Sequence, residues 1–267
     1  MLSDRDFSDL LKYLNRPWAG FRKVRKGVKK RIRRHMGELG CSTIEQYLLE
    51  ISRPQERAGC EQCLMVTISR LFRDRGLWQA LQERILPDLS RQYSPPLRIW
   101  SAGCACGEEA YSLAMVCDAL HPPVPPVILA TDVQQACLNR AQVGIYSRTS
   151  IKELPDEMKK RYVDIKRKGR QAIIRKHLLP SIRWQVHDLM DGPVDEDPFH
   201  LILLRNNLLT YYQGRALQDA FSALLSRLTP GGCLVIGSHE HLPVTDVPLI
   251  RDENCPWVYW NKKKKKC

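Results

Sequence analysis

Two adjacent carboxylates, Glu108 and Glu109, follow a glycine-rich turn in the stretch WSAGCACGEEAYSLAM, residues 100–115. The turn comes after a strand-like run and before a helix-like run, and Gly103 and Gly107 allow a ligand to approach the backbone closely. Its spacing is not the dinucleotide pattern GxGxxG, nor is it a phosphate-binding loop, because no GK[ST] follows. Since carboxylates repel a pyrophosphate, the turn favours a ligand that offers hydrogen-bond donors or positive charge.

A third carboxylate, Asp132, ends the next apolar run, VILATD. At the end of a strand in a βαβ unit, an acid can accept hydrogen bonds from both hydroxyls of a ribose. The alternative is that Asp132 only caps the helix that follows. Together, the turn and the aspartate favour a nucleoside ligand. They leave open whether it is a dinucleotide or S-adenosylmethionine, which has an amino group, a sulfonium and ribose hydroxyls but no phosphate.

The elements that must position these groups alternate between strand and helix. The strand-like runs LRIWSAG and VILATDV are followed by the helix-like runs EEAYSLAMVCDAL and QQACLNRAQVGIY, an order that predicts a parallel sheet. A strand over 199–207, a helix over 214–228 and a Pro-Gly-Gly turn into a late strand continue this pattern. Short alternating runs around Lys168-Gly169 interrupt it and predict an antiparallel β-subdomain over residues 161–185.

The first 93 residues are predicted to be helical. Apolar residues recur every three or four positions, as in a helical stripe, at Phe21, Val24, Val28, Ile32 and Met36. Nine cations and no acid surround this stripe between residues 22 and 34, which favours a surface for a polyanion or an acidic helix over a merely solvated face. Pro95-Pro96 marks a boundary, so the chain divides into a helical domain, 1–93, and an α/β domain, 94–267.

The composition is that of a globular protein, with 43% hydrophobic and 27% charged residues. No apolar run reaches the roughly 18 residues of a membrane span, and the acidic start MLSDRDF is not a secretory signal, so a cytoplasmic location is expected. The ten cysteines are therefore expected to be reduced, and the single Cys60-X-X-Cys63 pair predicts no metal site. The net charge is +13, and it is still +8 without the five lysines of the terminal run, Lys262–Lys266.

WSAGCACGEEAYSLAM closely resembles SAGCSTGEEPYSLAM, the signature of the chemotaxis-receptor methyltransferases, the CheR family. Four further segments resemble family motifs in the same order: TISRLFRD at 67–74, GIYSRTSIKELP at 144–155, LLRNNLLTYY at 203–212 and PGGCLVIGSHEHLP at 230–243. The resemblance covers nearly the whole chain. It implies a Rossmann-like class I methyltransferase fold, with a mostly parallel sheet, a small antiparallel β-subdomain and an N-terminal all-α domain. It also implies S-adenosylmethionine as cofactor and S-adenosylhomocysteine as product.

The resemblance further implies a set of cofactor contacts. Carried over position by position, they fall at Thr67, Ser69, Arg73, Ala102, Gly103, Glu109, Asp132, Asp188, Leu189, Leu204, Arg205 and Asn206. Of the two acids after the turn, Glu109 is thus the expected contact. This chain departs from the family pattern at Thr67 and Asp188, where the family has asparagine. Cys106 stands where the family usually has threonine, and it is interpreted as a small loop residue.

For catalysis, the resemblance implies an arginine and a tyrosine. Arg73 would orient the acceptor carboxylate through forked hydrogen bonds, and the alternative is a salt bridge to Asp74 or another neighbour. The tyrosine position falls on Thr210 in an ungapped comparison and on Tyr211 with one inserted residue. Tyr211 is preferred because TYY then preserves the family's aromatic pair, although core packing would also explain this residue.

The implied reaction is methyl transfer to glutamate carboxylates of a chemoreceptor or a receptor-like protein. The basic run would face an acidic receptor helix through Lys26, Lys29, Lys30 and Arg33, without membrane insertion. One alternative is another acceptor, such as a different protein side chain or a nucleic-acid base. Base methylation needs a stacking platform, and aromatic residues are only 7% of the chain. A second alternative is a cofactor-sensing adaptor that docks on an acidic helix without catalysing a reaction.

Overall fold

The computed structural model describes residues 2–67, 69–166 and 169–262. The chain forms two compact units: the first holds residues up to 67 together with 210–217, and the second holds the remainder. The predicted boundary after residue 93 does not coincide with this division, because apolar residues between 71 and 89 lie in the core of the second unit. The division into a helical domain, 1–93, and an α/β domain, 94–267, stays a prediction. The predicted turn residue Lys168 and the lysine run from 263 onward lie outside the described residues.

The first unit is helical. Its helices are α1 (Asp4–Tyr13), α2 (Trp18–Phe21), α3 (Arg25–Glu38), α4 (Ile44–Glu50) and α5 (Pro54–Leu64). The predicted apolar stripe is interrupted between α2 and α3, but Val28, Ile32 and Met36 are buried along one face of α3 and join the core of this unit. Exposed cations such as Lys26, Lys30 and Arg33 lie away from this face, as expected for an amphipathic helix, whereas Arg31 is half-buried and donates to the carbonyls of Cys63 and Met65.

The second unit is built on a sheet of seven strands beside a sheet of three. In chain order the strands are β1 (Arg98–Ala102), β2 (Val127–Asp132), β3 (Ile145–Ser147), β4 (Val163–Lys166), β5 (Gln171–Ile174), β6 (Ile182–Val186), β7 (Phe199–Leu204), β8 (Leu228–Ile236), β9 (Leu249–Arg251) and β10 (Val258–Asn261). The large sheet has the order β6-β2-β1-β7-β8-β10-β9, in which the first five strands are parallel and β10 is antiparallel to both of its neighbours, β8 and β9. This confirms the predicted Rossmann-like, mostly parallel sheet.

The remaining helices are α6 (Arg75–Ala80), α7 (Leu86–Gln92), α8 (Glu108–Ala119), α9 (Gln135–Val143), α10 (Asp156–Tyr162), α11 (Leu208–Tyr211) and α12 (Gly214–Leu225). Residues 210–217, at the end of α11 and the start of α12, belong to the first unit. A π-helical turn, Leu81–Ile85, joins α6 to α7. Nearly all residues of α8 are buried, as its continuous apolar run predicts. None of the helices in the described ranges is long and apolar enough to cross a bilayer.

The small sheet has the order β3-β5-β4 and is antiparallel, as the resemblance implied. Its bounds differ from the predicted 161–185 at both ends. Ile145–Ser147 belongs to it, whereas Ile182–Val186 is the edge strand of the large sheet, parallel to β2. The reason is that alternating polarity identifies a half-buried strand without identifying its partner.

The predicted Pro-Gly-Gly turn is instead a bulge inside β8. Opposite β7, the register moves from Phe199 facing Leu228 to Leu201 facing Cys233. A Cβ on Gly232 would lie 3.0 Å from the His200 carbonyl oxygen. A glycine is therefore needed because the two backbones approach closely.

The order in which strands are added reverses between β1 and β7. The chain proceeds from β1 through β2 to β6 on one side and from β7 to β8 on the other. In open α/β sheets, ligands bind at the carboxyl ends of the strands beside such a reversal. The predicted turn after β1 and the predicted aspartate at the end of β2 both lie there.

Candidate active site

The turn between β1 and α8 is fastened to the end of β2. The amides of Gly103 and Cys104 both donate to the Thr131 carbonyl at 2.8 Å, and the Ala105 amide donates to Asp132 Oδ2 at 2.9 Å. Ala105 has a φ of +49°, a left-handed conformation that is uncommon without glycine and is found preferentially at functional sites. These hydrogen bonds hold the turn against the end of β2.

The two glycines of this turn are required by protein contacts. A Cβ on Gly107 would lie 2.7 Å from Ala141 Cβ and 2.9 Å from the Trp184 ring, and one on Gly103 would lie 2.1 Å from Asn207 Nδ2. The space beside both Cα atoms is therefore filled by the protein itself. Packing within the protein therefore explains both glycines, and the predicted close approach of a ligand to this backbone stays a prediction.

Replacing Gly107 with alanine is expected to lower the free energy of unfolding by about 2–4 kcal/mol, from a strained φ together with overpacking. Gly37 in α3 is the matched control. Nothing lies within 4 Å of a Cβ added there, so Gly37→Ala should stabilise by about 0.5–1 kcal/mol. Urea unfolding of both variants measures the contrast. Equal changes at the two positions would contradict the packing role of Gly107.

Asp132 accepts two backbone hydrogen bonds, from Ala105 and from Gln134, both at 2.9 Å. The second bond closes a turn ahead of α9 and does not cap that helix, whose N-cap position is Gln134 and has no side-chain capping bond, so the structure does not bear out the helix-capping alternative. Burial raises the pKa of Asp132, and the nearby charge of Asp188 adds to the rise. Asp188 accepts from the Met190 amide at 2.9 Å. Two acids at the adjacent ends of β2 and β6 favour a ligand that donates hydrogen bonds, as ribose hydroxyls do.

Arg205 follows β7 and joins two carboxylates. Its Nη1 donates to Glu109 Oε2 at 3.0 Å and its Nη2 to Asp74 Oδ2 at 2.6 Å, and the side chain is only 3% exposed. The other oxygen of Glu109 accepts from Ser101 Oγ at 2.7 Å. Glu109 is thus fixed by neighbours on β1 and after β7, and sequence reasoning did not predict these internal partners.

The pairing of Asp74 with Arg205 removes one alternative for Arg73, a salt bridge to Asp74. Within the described ranges, the Arg73 guanidinium has no ion pair. Its carbonyl accepts from Trp78 Nε1 at 2.7 Å and from Arg205 Nη2 at 3.3 Å. Its neighbours Phe72 and Asp74 both have left-handed φ, +55° and +64°. The backbone of Arg73 is therefore clamped, while its half-buried side chain remains able to bind a further group.

Two side chains outside the predicted set fix the strand ends. Glu240 Oε2 accepts from the Asn206 amide at 2.9 Å and from the Gly237 amide at 2.6 Å. Asn207 Nδ2 donates to the Ala102 carbonyl. The segment around Glu240 has the family's residues in a rearranged order. Its sequence therefore did not indicate that Glu240 would accept hydrogen bonds from these two amides.

A family profile described as "CheR methyltransferase, SAM binding domain" matches residues 67–257. The chain belongs to the CheR methyltransferase family. It is 35% identical over 179 residues to a chemotaxis protein methyltransferase of Listeria monocytogenes, which covers 67% of each protein. It is 30% identical over 231 residues to chemotaxis protein methyltransferase 1 of Pseudomonas aeruginosa, which covers 80% of this chain and 81% of that protein.

Among solved structures, SAM-bound CalS10, an amino pentose methyltransferase from Micromonospora echinaspora, aligns with a TM-score of 0.37 at 16% identity. The alignment covers 67% of this chain and 61% of that chain. At this TM-score, the alignment supports no conclusion beyond the strand topology described above. The family match makes this CheR protein an S-adenosylmethionine-dependent methyltransferase of the chemotaxis type.

The residues of this CheR site fit S-adenosylmethionine. Asp132 and Asp188 lie at adjacent strand ends, and Glu109 follows β1. The negative charge of these three carboxylates exceeds the single positive charge of the buried Arg205 guanidinium. A ligand with an ammonium, a sulfonium and hydroxyls, and without phosphate, suits this excess of negative charge. Of the other predicted contacts in this unit, Leu204 is buried, and Ser69 and Leu189 are half-buried.

Two predicted residues of this CheR chain belong to the first unit. Thr67 is half-buried there. The Tyr211 ring packs 5.0 Å from the Phe21 ring, and the Tyr211 carbonyl accepts from Arg16 Nη1 at 3.3 Å. This packing matches the structural alternative for Tyr211, and its catalytic role stays a prediction.

The four predicted substrate-binding cations also lie in the first unit. They line a surface cavity of about 460 Å³ with Leu2, Asp4 and Arg25, and they are Lys26, Lys29, Lys30 and Arg33. Asp4 contacts Lys29 at 2.8 Å and Arg25 at 3.4 Å. In the described part of the chain, Lys26, Lys30 and Arg33 have no ion pair. The cavity therefore has an uncompensated positive charge.

Glu108 differs from Glu109 in its surroundings. It is 3% exposed, and its Oε2 atom has no hydrogen-bond partner among the residues described. Burial raises the pKa of Glu108, and a hydrogen bond from its own backbone amide together with the nearby charge of Arg140 only partly opposes this rise. The fold therefore favours the neutral form of Glu108 more than water does.

This environment predicts a pH dependence of stability. Because the pKa of Glu108 is higher in the folded than in the unfolded state, its stabilising contribution is complete below the unfolded value and is lost as pH rises through the folded value. The Glu108→Gln variant should lose less unfolding free energy than the parent between about pH 4 and about pH 8. Urea unfolding across this range measures the difference, with the exposed Glu157→Gln as control. Parallel profiles for Glu108→Gln and the parent would refute the prediction.

Proposed function

We propose that this protein transfers the methyl group of S-adenosylmethionine to glutamate side-chain carboxylates of a chemoreceptor or receptor-like protein in the cytoplasm. The products are a glutamate methyl ester and S-adenosylhomocysteine. The observation that carries the proposal is the Arg73 guanidinium, which has no ion pair in the described ranges although its backbone is clamped beside Arg205. A guanidinium fork is shaped to bind a carboxylate through two parallel hydrogen bonds.

The cofactor would be held by residues of the strand ends. Asp132 would accept from the ribose hydroxyls, Glu109 would receive the amino group, and the backbone of Ala102 and Gly103 would line the turn. When bound, S-adenosylmethionine supplies an electrophilic methyl group on a positively charged sulfur. Asp188 departs from the family's asparagine, and its carboxylate can only accept hydrogen bonds when ionised, so it would bind a donor group of the ligand.

The chain's own contribution to the reaction is positioning. A carboxylate is an adequate nucleophile at neutral pH, so the site needs no strong base. Arg73 would fix the acceptor carboxylate in line with the transferring group and exclude water from it. Tyr211 would donate a hydrogen bond near the path of the methyl group.

The acceptor would be an acidic helical protein that meets the first unit. The support for this is the surface cavity lined by cations of α3, where the single acid, Asp4, is already engaged by Lys29 and Arg25. Complementary charge of this kind raises the rate of association and orients the partner.

Reversing charge in this cavity tests the acceptor surface. The double variant Lys30→Glu, Arg33→Glu should raise KM for the protein acceptor by about tenfold or more, with little change in kcat, because long-range attraction is lost. The matched control is Lys152→Glu, Lys160→Glu, which changes the net charge equally on exposed residues of the second unit. If both double variants raise KM alike, α3 is only a solvated face.

The reaction itself is tested by the chemical stability of the product. Incubation with S-adenosylmethionine labelled in the methyl group and a lysate that contains chemoreceptors should label protein. Raising the pH should then release the label as volatile methanol, because carboxyl methyl esters hydrolyse in base. Label that survives base would point to another acceptor, such as a nitrogen of protein or nucleic acid. A complete lack of transfer with cofactor bound would favour a sensing adaptor.

A further inference from the structure

Arg73 lies in a turn that the backbone would not adopt without support. The residues on either side of it, Phe72 and Asp74, both have left-handed φ, +55° and +64°. For a bulky side chain such as phenylalanine this conformation is a genuine outlier, and it persists only where the surrounding contacts enforce it. The contacts that hold this turn therefore determine where the Arg73 side chain begins.

Side chains of the second unit hold the turn at two points. On α8, Ser112 Oγ accepts from the Phe72 amide at 2.9 Å. The Arg73 carbonyl accepts from Arg205 Nη2 at 3.3 Å and, on α6, from Trp78 Nε1 at 2.7 Å. The bond from Trp78 is the shorter of the two on this carbonyl, so it is the stronger anchor.

The Trp78 side chain has a single hydrogen-bond donor, and that donor is committed to this turn. The residue is 2% exposed, and its ring lies 5.4 Å from the Phe72 ring. Loss of a buried hydrogen bond leaves the remaining partner poorly satisfied, which is why such a bond holds its partner firmly. Arg205, by contrast, also binds the carboxylates Glu109 and Asp74. A change at Trp78 therefore probes the turn without removing an ion pair.

We propose that Trp78 is a positioning residue for methyl transfer, whose indole N–H fixes the Arg73 backbone so that the guanidinium meets the acceptor carboxylate correctly. This role rests on the proposed function, in which Arg73 orients that carboxylate. Two parallel hydrogen bonds constrain both the distance and the plane of a guanidinium. A displacement of about 1 Å at a positioned group can cost a hundredfold in rate. Without the indole bond, the turn can relax from its left-handed conformations and carry Arg73 away from this geometry.

The experiment removes the indole N–H and retains an aromatic ring, because the Arg205 guanidinium lies 5.7 Å from the centre of the Trp78 ring. Trp78→Phe should lower kcat by about tenfold to a hundredfold. The Kd for S-adenosylmethionine and the KM for the protein acceptor should stay within about twofold of the parent, since an interaction made only in the transition state is lost. Single-turnover kinetics with labelled cofactor and calorimetry measure these quantities.

A second variant guards against loosening of the core by the smaller ring. It carries β-(benzothienyl)alanine at position 78, in which sulfur replaces the indole N–H in a ring of nearly the same shape. This variant should show the same loss of kcat as Trp78→Phe. Calorimetric titration with S-adenosylmethionine shows for both variants that the second unit is folded.

Trp260→Phe is the matched control. Trp260 Nε1 donates to Asp252 Oδ2 at 2.9 Å, so this variant also loses an indole hydrogen bond in the second unit, and it should transfer at the parental rate. A double variant then separates positioning from general stability. If Trp78 acts through Arg73, Trp78→Phe should have no further effect on kcat once Arg73 is alanine.

The role of Trp78 is overturned if both replacements at position 78 keep the parental kcat, if Trp260→Phe loses as much rate, or if Trp78→Phe slows Arg73→Ala further. Failure of the proposed function looks different. In that case Arg73→Ala itself transfers at the parental rate, or the labelled product survives base. Either result removes the basis of the role of Trp78 as well, whatever the rate of Trp78→Phe.

Discussion

Replacing Arg205 with alanine should lower the free energy of unfolding by about 3–5 kcal/mol, because removal of one partner leaves buried charge uncompensated. The side chain is 3% exposed and pairs with Asp74 at 2.6 Å and with Glu109 at 3.0 Å. Both carboxylates would lose their cation at once. Urea unfolding measures the loss, and calorimetry should show weaker S-adenosylmethionine binding, since Glu109 would no longer be held.

Companion variants separate charge from geometry. Arg205→Lys keeps the positive charge but loses the planar guanidinium that can bond both carboxylates, so its free energy of unfolding should lie between those of the parent and Arg205→Ala. Adding Asp74→Asn to Arg205→Ala should recover part of the lost stability, as a double-mutant cycle of contacting residues shows. Arg91→Ala removes an exposed ion pair with Asp88 and should stay within about 0.5 kcal/mol of the parent. If Arg205→Ala were as mild as Arg91→Ala, the network would not stabilise the fold.

The second large effect concerns the rate of transfer. Arg73→Ala should lower kcat by about 10²–10³-fold, the scale observed when one positioned hydrogen-bond donor is removed from an active site. Stability and cofactor affinity should change little, because its guanidinium has no ion pair in the described ranges and its backbone contacts remain. Single-turnover kinetics with labelled cofactor, together with calorimetry, give the two quantities separately.

The control for this experiment is a neighbouring arginine. Arg70 is half exposed and pairs with Glu153, so Arg70→Ala should retain transfer. Arg73→Lys should recover only part of the rate, since an ammonium cannot make two parallel bonds to one carboxylate. Transfer at the parental rate by Arg73→Ala would disprove the orienting role. A matching loss of cofactor affinity would place Arg73 on the cofactor instead of the acceptor.

The local parts of this site could be predicted from the sequence. β1, the glycine-rich turn and α8 occur where the run WSAGCACGEEAYSLAM places them, because an apolar strand, two glycines and an apolar helix are each determined by nearby residues. The same holds for Asp132 at the end of β2. The large sheet followed because alternation of strands and helices leaves few arrangements other than a parallel sheet.

The partners of the site residues could not be predicted in the same way. Asp74 and Arg205 are 131 residues apart in the chain, and no local pattern relates them. The pattern around β6 showed a strand but not the sheet to which it belongs. The packing of Ala141 and Trp184 beside Gly107 was not predicted, because a missing side chain has the same sequence signature whether a ligand or a neighbouring element lies beside it.

The shared guanidinium of Arg205 has a consequence for how the two substrates influence each other. One side chain links Glu109, expected at the cofactor, to Asp74 and to the carbonyl of Arg73, expected at the acceptor. A change in the hydrogen bonds of Glu109 therefore also affects the hydrogen bond that Arg205 donates to the Arg73 carbonyl. Thermodynamic linkage makes such an effect reciprocal, so each substrate changes the affinity for the other by the same factor. The methyl donor and the acceptor would thus bind as coupled ligands, and the apparent affinity for either would depend on the concentration of the other.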